Sequence, residues 1–369
     1  MLNSCKPGMS SDIIFTRKDQ HLVYSLKENV QARGVTTLLE CVRFVHQTVL
    51  EANFSDVDVS TKFLGYEVAA PIVISGMTGG TPMGGKVNAM LAEVAQRLKV
   101  PIGVGSQRAA LKDRAAVETF RVVREKAPDV PVIANIGASQ VSMGLSAGEV
   151  QELLDMVGAD ALAVHLNPLQ EVLQPEGEPS FKNFLGNLRE IVKSVKVPVI
   201  LKQTGEGFSR ESALKIADTG VKGVDVGGAG GTSFAVIEGL RARYAGLDLH
   251  EEIAFEFAGW GIPTAASVLE VRSALPDILL IATGGIRSGL DAAKVIRLGA
   301  DFAGLALPVL KEVYYRGVEG GYRFLEKVIR ELKIAVFLTG GRTLADLKNA
   351  PIVITGELKD WVVQRGLRV

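Results

Sequence analysis

The chain has 369 residues, 47% of them hydrophobic, and 41 Lys plus Arg balance 41 Asp plus Glu to a formal net charge of zero. That is enough apolar material for a large buried core, and it offers no basic excess for a nucleic acid or a membrane surface to recognise. Cys5 and Cys41 belong to no paired motif, Met1 to Ser11 lacks a long apolar run, and no run reaches bilayer-spanning length, so the expected setting is the cytoplasm.

In chain order, residues 1–65 read as an N-terminal extension with a helical stretch of its own. It carries Arg17-Lys18-Asp19-Gln20-His21, where Arg17 and His21 share a helix face at i and i+4. Taken alone, this cluster equally suits a solvated charged turn; together with Arg108 it could form an anion site. From residue 66 a unit repeats: an apolar run, a Gly-rich or polar cluster, then an amphipathic helix. The runs are Pro71–Ile74, Pro101–Val104, Pro131–Ala134, Ala161–Val164, Pro198–Leu201, Gly223–Val226, Ile278–Ile281 and Phe302–Leu305. Helical patterns between them include Val87–Leu98, Val117–Glu125, Phe184–Val195 and Leu290–Leu298. Four runs open on Pro, which a strand tolerates at its first residue. Eight alternations predict a parallel sheet closed into a (β/α)8 TIM barrel over residues 66–340; an open doubly wound sheet is the competing architecture. Residues Thr232–Ala258 exceed one unit and read as an insertion over the active-site face. Gly317–Leu338 reads as the last barrel helix, followed by a short helix near Leu344 in a tail, residues 341–369, packing on the barrel.

Polar clusters follow nearly every run, where a barrel carries its active site. One such cluster is ordinary loop chemistry; many on one face suggest a site. The richest is His165-Leu166-Asn167-Pro168-Leu169-Gln170-Glu171, after the fourth run. His165 alone equally suits a satisfied core imidazole. Glu171 is a hard oxygen ligand able to hold Mg²⁺ beside a diphosphate, while Gln170 can orient a substrate or relay a proton but is no strong base. Lys202 ends the fifth run and suits either a buried carboxylate partner or an anionic ring. Ser106 and Asn135 are further candidate contacts. Gly284 and Gly285 let backbone N–H groups approach an anion beside a helix starting near Ser288, the usual barrel phosphate position, and Gly227 to Thr232 could add donors.

Taken together, Arg-Lys-x-x-His at 17–21, Met-Thr-Gly-Gly at 77–80, Gly-Ser-Gln-Arg at 105–108, His-Leu-Asn-x-x-Gln-Glu at 165–171 and Gly-Gly-Ile-Arg at 284–287 closely resemble the type 2 isopentenyl-diphosphate delta-isomerases, which are FMN-dependent (β/α)8 enzymes. The strand-four motif is the specific one; Gly-Gly-Ile-Arg occurs in many flavin barrels. The resemblance implies FMN held by Gly76, Met77, Thr78, Ser106, Asn135, Lys202, Thr232, Gly284, Gly285, Arg287, Ala306 and Leu307. It implies a substrate diphosphate on Arg17, Lys18, His21, Ser106, Gln107, Arg108 and Gln170, with Mg²⁺ on Glu171. The implied catalytic set is Gln170, His165, Asn167 and Lys202, with FMN reduced by NADPH or NADH and working by acid–base chemistry. A homo-oligomer, tetramer or octamer, is implied as well. Alternatives are a flavin oxidoreductase such as a 2-hydroxyacid oxidase or dihydroorotate dehydrogenase, separable by oxygen uptake with 2-hydroxyacids, and a non-catalytic flavin or phosphate binder. The Arg17–His21 cluster and Glu171 suit a diphosphate–Mg²⁺ ligand better than a carboxylate substrate, and mere binding would not require the strand-four cluster.

Overall fold

The computed structural model describes residues 11–369, with side chains from Arg17 onward, so Cys5 and most of the chain start lie outside the described residues. Each of the eight apolar runs supplies a barrel strand: β1 (Ile72–Ile74), β2 (Ile102–Gly103), β3 (Val132–Gly137), β4 (Ala161–Leu166), β5 (Val199–Gln203), β6 (Gly223–Asp225), β7 (Leu279–Ala282) and β8 (Phe302–Leu305). All neighbours are parallel, and the sheet closes in the order β7-β8-β1-β2-β3-β4-β5-β6. The prolines sit one residue ahead of four strands, where a missing N–H costs nothing. Their carbonyls still join the ladder: Pro71, Pro101, Pro131 and Pro198 accept from Ala303, Ile74, Ile102 and Leu162 of the adjacent strands.

Ahead of the barrel lies α1 (Ser11–Lys27). After β1 comes α2 (Pro82–Leu98); after β2, α3 (Arg108–Lys112) and α4 (Glu118–Lys126); after β3, α5 (Ala138–Ser142) and α6 (Ala147–Val157). α7 (Pro168–Leu173) and α8 (Phe184–Ser194) follow β4, and α9 (Arg210–Ile216) follows β5. The long interval after β6 is α10 (Phe234–Tyr244), α11 (Asp248–Glu256) and α12 (Thr264–Ala274). α13 (Gly289–Arg297) follows β7, and α14 (Leu307–Leu338) follows β8. The last barrel helix therefore begins ten residues before the expected Gly317. Gly317 itself, at φ 67°, ψ −166°, is a break inside it, a left-handed conformation that glycine adopts without a Cβ clash.

The tail holds α15 (Leu344–Lys348), a strand Ile352–Ile354 and α16 (Gly356–Arg365). That strand pairs antiparallel with Val42–Phe44 of the N-terminal extension, so the two ends of the chain clasp each other. Glu270 of α12 anchors α16 through Trp361 Nε1 at 2.9 Å and Arg365 Nε at 2.7 Å. A hairpin, Thr61–Phe63 with Tyr66–Val68, closes the bottom of the barrel: Phe63 meets Phe302 edge-to-face, ring centroids 5.1 Å apart, among Val73, Ile133, Ala161, Ile200 and Ile281. With that end filled by apolar side chains, the barrel interior is open to ligands only at the strand C-termini. No helix among the described residues is long and apolar enough to cross a membrane.

Candidate active site

Register places a row of functional groups around the mouth. Gly137 of β3 lies beside His165 of β4, His165 beside Lys202 of β5, and Lys202 beside Asp225 of β6. Asn135 Nδ2 donates to Val104 O at 3.0 Å, which turns its Oδ1 toward His165 Nδ1 at 2.8 Å. Burial first, then the nearby cations Lys202, Lys18 and Arg17, pull the His165 pKa down to about 4. The imidazole is thus neutral at physiological pH. Because Nδ1 faces a carbonyl-type oxygen it carries the proton, leaving the Nε2 lone pair free. Lys202 Nζ pairs with Asp225 Oδ2 at 2.8 Å, a buried carboxylate partner, and also lines the cavity. Asp225 is a carboxylate that sequence reading missed. Its Oδ1 accepts from Gly227 N and Thr283 Oγ1, leaving it fully bonded below the cavity floor.

Pro168 occupies the first turn of α7, where its fixed φ suits the helix and its missing N–H is not needed. Gln170 and Glu171 fall in that same turn, both nearly buried. Asn167 Nδ2 holds Gln170 Oε1 at 3.1 Å and Glu171 Oε1 at 3.0 Å. Glu171 Oε2 receives Gln174 Nε2 at 3.0 Å and the Glu178 N–H at 2.8 Å. Two amide oxygens of this cluster, Asn167 Oδ1 and Gln174 Oε1, are buried without partners. A carboxylate beside two orphaned neutral oxygens is the donor set of a hard cation.

Helices α1 and α10 lie over this cluster. Lys18 Nζ donates to Gly79 O at 2.8 Å and Ser106 O at 2.7 Å, tying α1 to the loops after β1 and β2. Burial, reinforced by Arg17, lowers its pKa to about 7. Arg17 is buried as well, and its Nε has no partner among the described residues. Arg108 Nη2 is held by Glu178 Oε1 at 2.6 Å. His21 Nε2 meets Glu238 Oε1 at 2.8 Å, and Gln170 Nε2 donates to the same oxygen at 3.3 Å. Glu238, its side chain wholly buried, is the second residue sequence reading missed. The available signal was a lone Glu inside the apolar run Phe234–Leu240, within a stretch read as an insertion.

Across the mouth, Gly284 and Gly285 take φ 101° and 75°. A Cβ on Gly284 would lie 2.1 Å from Gly228 O, and one on Gly231 would lie 2.3 Å from Gly285 N, so the loops after β6 and β7 touch backbone to backbone. Arg287 is half-buried nearby. Its guanidinium bonds only Gln31 Oε1 and its own Ile286 O among the described residues, so burial lowers its pKa against only the more distant charge of Asp291.

These groups face one cavity of about 260 Å³. Every residue singled out from the sequence lines it except Gln107. That side chain is fully buried behind the β2 loop, donating to Leu153 O at 2.9 Å and accepting the Asn135 N–H at 2.9 Å. Its neighbours Ser106 and Arg108 face the cavity; Gln107, between them, points the opposite way and braces β3 against α6. A substrate contact through its side chain is thereby corrected to a structural brace. The described residues contain no group of three or more His, Cys, Asp or Glu placed to hold a metal by themselves.

The fold and site define a flavin-type barrel, and residues 129–354 match the family model for FMN-dependent dehydrogenases. Solved structures agree at the level of fold: flavocytochrome b2 with sulfite bound (TM-score 0.68, 19% identity, 95% of this chain and 89% of that one) and mandelate oxidase with an FMN adduct (TM-score 0.60, 16% identity, 91% and 92%). Sequence is more specific. Curated isopentenyl-diphosphate delta-isomerases from Metallosphaera sedula (47% identical, 96% of both chains), Sulfurisphaera tokodaii (46%, 98% and 97%) and Methanopyrus kandleri (46%, 95% of both) align almost end to end. The chain belongs to the isopentenyl-diphosphate delta-isomerase family.

Proposed function

We propose that this protein interconverts isopentenyl diphosphate and dimethylallyl diphosphate, with reduced FMN as an acid–base cofactor, Mg²⁺ at Glu171 and NADPH or NADH as reductant. The observation that carries the reading is one cavity lined by two sets of groups suited to anions, together with neutral amides. One set is Gly284, Gly285 and Arg287; the other is Arg17, Lys18 and Arg108. A phosphate-bearing cofactor and a diphosphate substrate fit such a cavity end to end.

The residues present fit FMN. The positive-φ glycines leave peptide N–H groups uncovered for its phosphate, and the Arg287 guanidinium has no carboxylate hydrogen-bond partner among the described residues. Gly76, Met77, Thr78, Ser106, Asn135, Thr232, Ala306 and Leu307 would enclose the ring system, with Lys202 beside it as a cation for a reduced, anionic ring. When bound, FMN would supply a ring nitrogen able to give and take a proton, and the nicotinamide would supply the electrons. Glu171, with the unpartnered Asn167 Oδ1 and Gln174 Oε1 beside it, would hold Mg²⁺, whose charge would help neutralise the substrate diphosphate.

The chain's own groups do the rest. Arg17, Lys18 and Arg108 bind the diphosphate; Arg108 must exchange Glu178 for it. Gln170 lines the cavity with its amide fixed by Asn167 on one side and Glu238 on the other, where it would meet the substrate's carbon skeleton. An amide so placed can hold the alkene or hand on a proton without trapping the tertiary carbocation that alkene protonation creates. Glu238, held ionised, fixes the Gln170 amide by accepting its N–H. His165, neutral with a free Nε2, and Asn167 complete a site lined by no cysteine among the described residues. The test is direct: purified protein should be yellow with one FMN per chain, and should interconvert the two diphosphates only when reduced and supplied with Mg²⁺. Oxygen uptake with 2-hydroxyacids and no isomerisation would replace the reading with an oxidase.

A further inference from the structure

Arg241 lies outside the cavity, yet its guanidinium reaches three elements that roof it. Nη1 donates to Glu238 Oε2 at 2.6 Å one turn back on α10; Nε donates to Gln20 Oε1 of α1 at 3.0 Å; Nη2 pairs with Glu176 in the α7–α8 connection. The side chains of Arg241 and Glu176 are only 13% and 14% exposed. None of the three elements is a barrel strand, so nothing in the sheet ladder sets their mutual positions. A stacked pair, Tyr24 on Tyr244 with centroids 5.3 Å apart, is a second joint between α1 and α10.

The consequence runs inward. Glu238 uses its two oxygens differently: Oε2 takes Arg241, while Oε1 takes His21 and Gln170. Burial alone would push this carboxyl toward its neutral form, but His21 and Arg241 outweigh it and hold the pKa at about 2. The titratable and charged groups around it are His21 and Arg17 from α1 and Arg241 from α10 itself, while Glu176 and Glu171, from α7 and its connection, face Arg17. α11 meets α10 through Ala254 and Phe255 instead. A Glu238 that is always an acceptor keeps the Gln170 NH₂ turned toward it and the Gln170 carbonyl toward Asn167.

We propose that Arg241 is the positioning residue of this site: its fork fixes the Glu238–Gln170 pair and binds α1 and the α7–α8 connection to it. The proposal rests on the isomerase reading for its kinetic consequences, though not for its structural one. Planarity matters, because the guanidinium spreads its donors over three nitrogens in one plane, and a single ammonium nitrogen cannot span the same three acceptors.

Holoenzyme carrying Arg241→Met should retain one FMN per chain and change KM less than about 3-fold. Its kcat should fall by at least about 10-fold, since sub-ångström to 1 Å displacement of a reacting group costs up to about 10² in rate. An acid limb should enter the pH profile of kcat as Glu238 becomes protonatable at higher pH. Arg241→Lys, which restores charge without the fork, should remove that limb and leave kcat about 3-fold or more below wild type. A readout independent of turnover is the infrared C=O band of protonated Glu238, assigned by its loss in Glu238→Gln; it should appear at higher pH in Arg241→Met than in wild type. Wild-type kcat and an unmoved band in Arg241→Met would overturn the proposal, as would loss of kcat, KM and FMN together with no rescue by Lys. Should Arg241→Met fail to fold, Arg241→Lys decides: wild-type kcat overturns the proposal, lowered kcat with an unchanged acid limb supports it. Wild-type protein that does not isomerise at all refutes the function, and the infrared band still judges Arg241.

Discussion

The two ends proposed to receive anions are built on opposite plans. At the β7–β8 end the proposed donors are mainly backbone groups beside Arg287: Gly284 and Gly285 lie in left-handed conformations, closed against Gly228, Gly230 and Gly231 with no room for a side chain. At the other end they are long cationic side chains, Arg17, Lys18 and Arg108, carried on α1 and α3 and held by partners up to 88 residues away in sequence. A backbone cradle is rigid and always formed, which suits a cofactor that stays. A side-chain cluster can exchange partners, as Arg108 must exchange Glu178, which suits a substrate that comes and goes.

The comparison breaks most visibly at Gly284. Gly284→Ala places a Cβ 2.1 Å from Gly228 O at φ 101°, so backbone must move; FMN occupancy should fall at least about 10-fold, read from the ratio of flavin to protein absorbance. Wild-type yellow protein would show that the cradle tolerates displacement. Between the two ends, Gln170→Leu should leave both anion sites intact and cut kcat by roughly 10², while photoreduction of the flavin proceeds normally. A near wild-type rate would make Gln170 structural.

At the exchangeable end, Arg108→Ala removes a charge-assisted contact worth about 1.5–3 kcal/mol, so KM for the diphosphate should rise roughly 10- to 100-fold with flavin content unchanged. Colourless protein would mean the two ends are not separable. Glu171→Gln should raise the Mg²⁺ concentration needed for half-maximal rate and weaken substrate binding, again without loss of FMN; an unchanged Mg²⁺ titration would remove the metal from this residue.

The smaller effects are in pH. Lys18, with its pKa lowered to about 7, loses its proton as pH rises above that value, so kcat/KM should decline on the alkaline side, and Lys18→Met should abolish that limb. His165, at about 4, should contribute no limb between pH 5 and 8. Glu206, just beyond β5, is pushed up to about 7 by burial. Its folded pKa exceeds its unfolded one, so the stability it contributes is present at low pH and lost as pH rises through about 7. Glu206→Gln should therefore be stabilising by on the order of 1–3 kcal/mol at pH 8 and less at pH 5, measured by denaturant unfolding; equal effects at both values would show that this carboxyl is ionised throughout.

Much of the architecture was legible in the sequence because it is written locally. A short apolar run bounded by turn residues reads as a strand, four of them opening on a proline, and eight such runs spaced by helices leave closure as the economical way to pair every edge. The glycine cradle was legible for the same reason: positive φ is a property of one residue and its neighbours. The strand-four motif announced itself because strand, proline and polar turn are contiguous.

What escaped depends on residues that meet only after folding. Gln107 sits between two cavity residues in sequence, but the turn into α3 aims alternate side chains oppositely, and only the packed α6 decides which way. Asp225 looked like one more strand residue until barrel closure set it beside Lys202. Glu238 and Arg241 belonged to an apparent insertion whose helix turns out to roof the site. The pairing of Val42–Phe44 with Ile352–Ile354 joins segments some three hundred residues apart that share no local signal. The chain alone thus determined the strands, the glycine turn after the seventh strand and the polar residues of the rim. Tertiary structure decided which charges are paired, which stay free for a ligand, and which amide is held against which carboxylate, because those outcomes depend on burial and direction, neither of which is a property of a residue by itself.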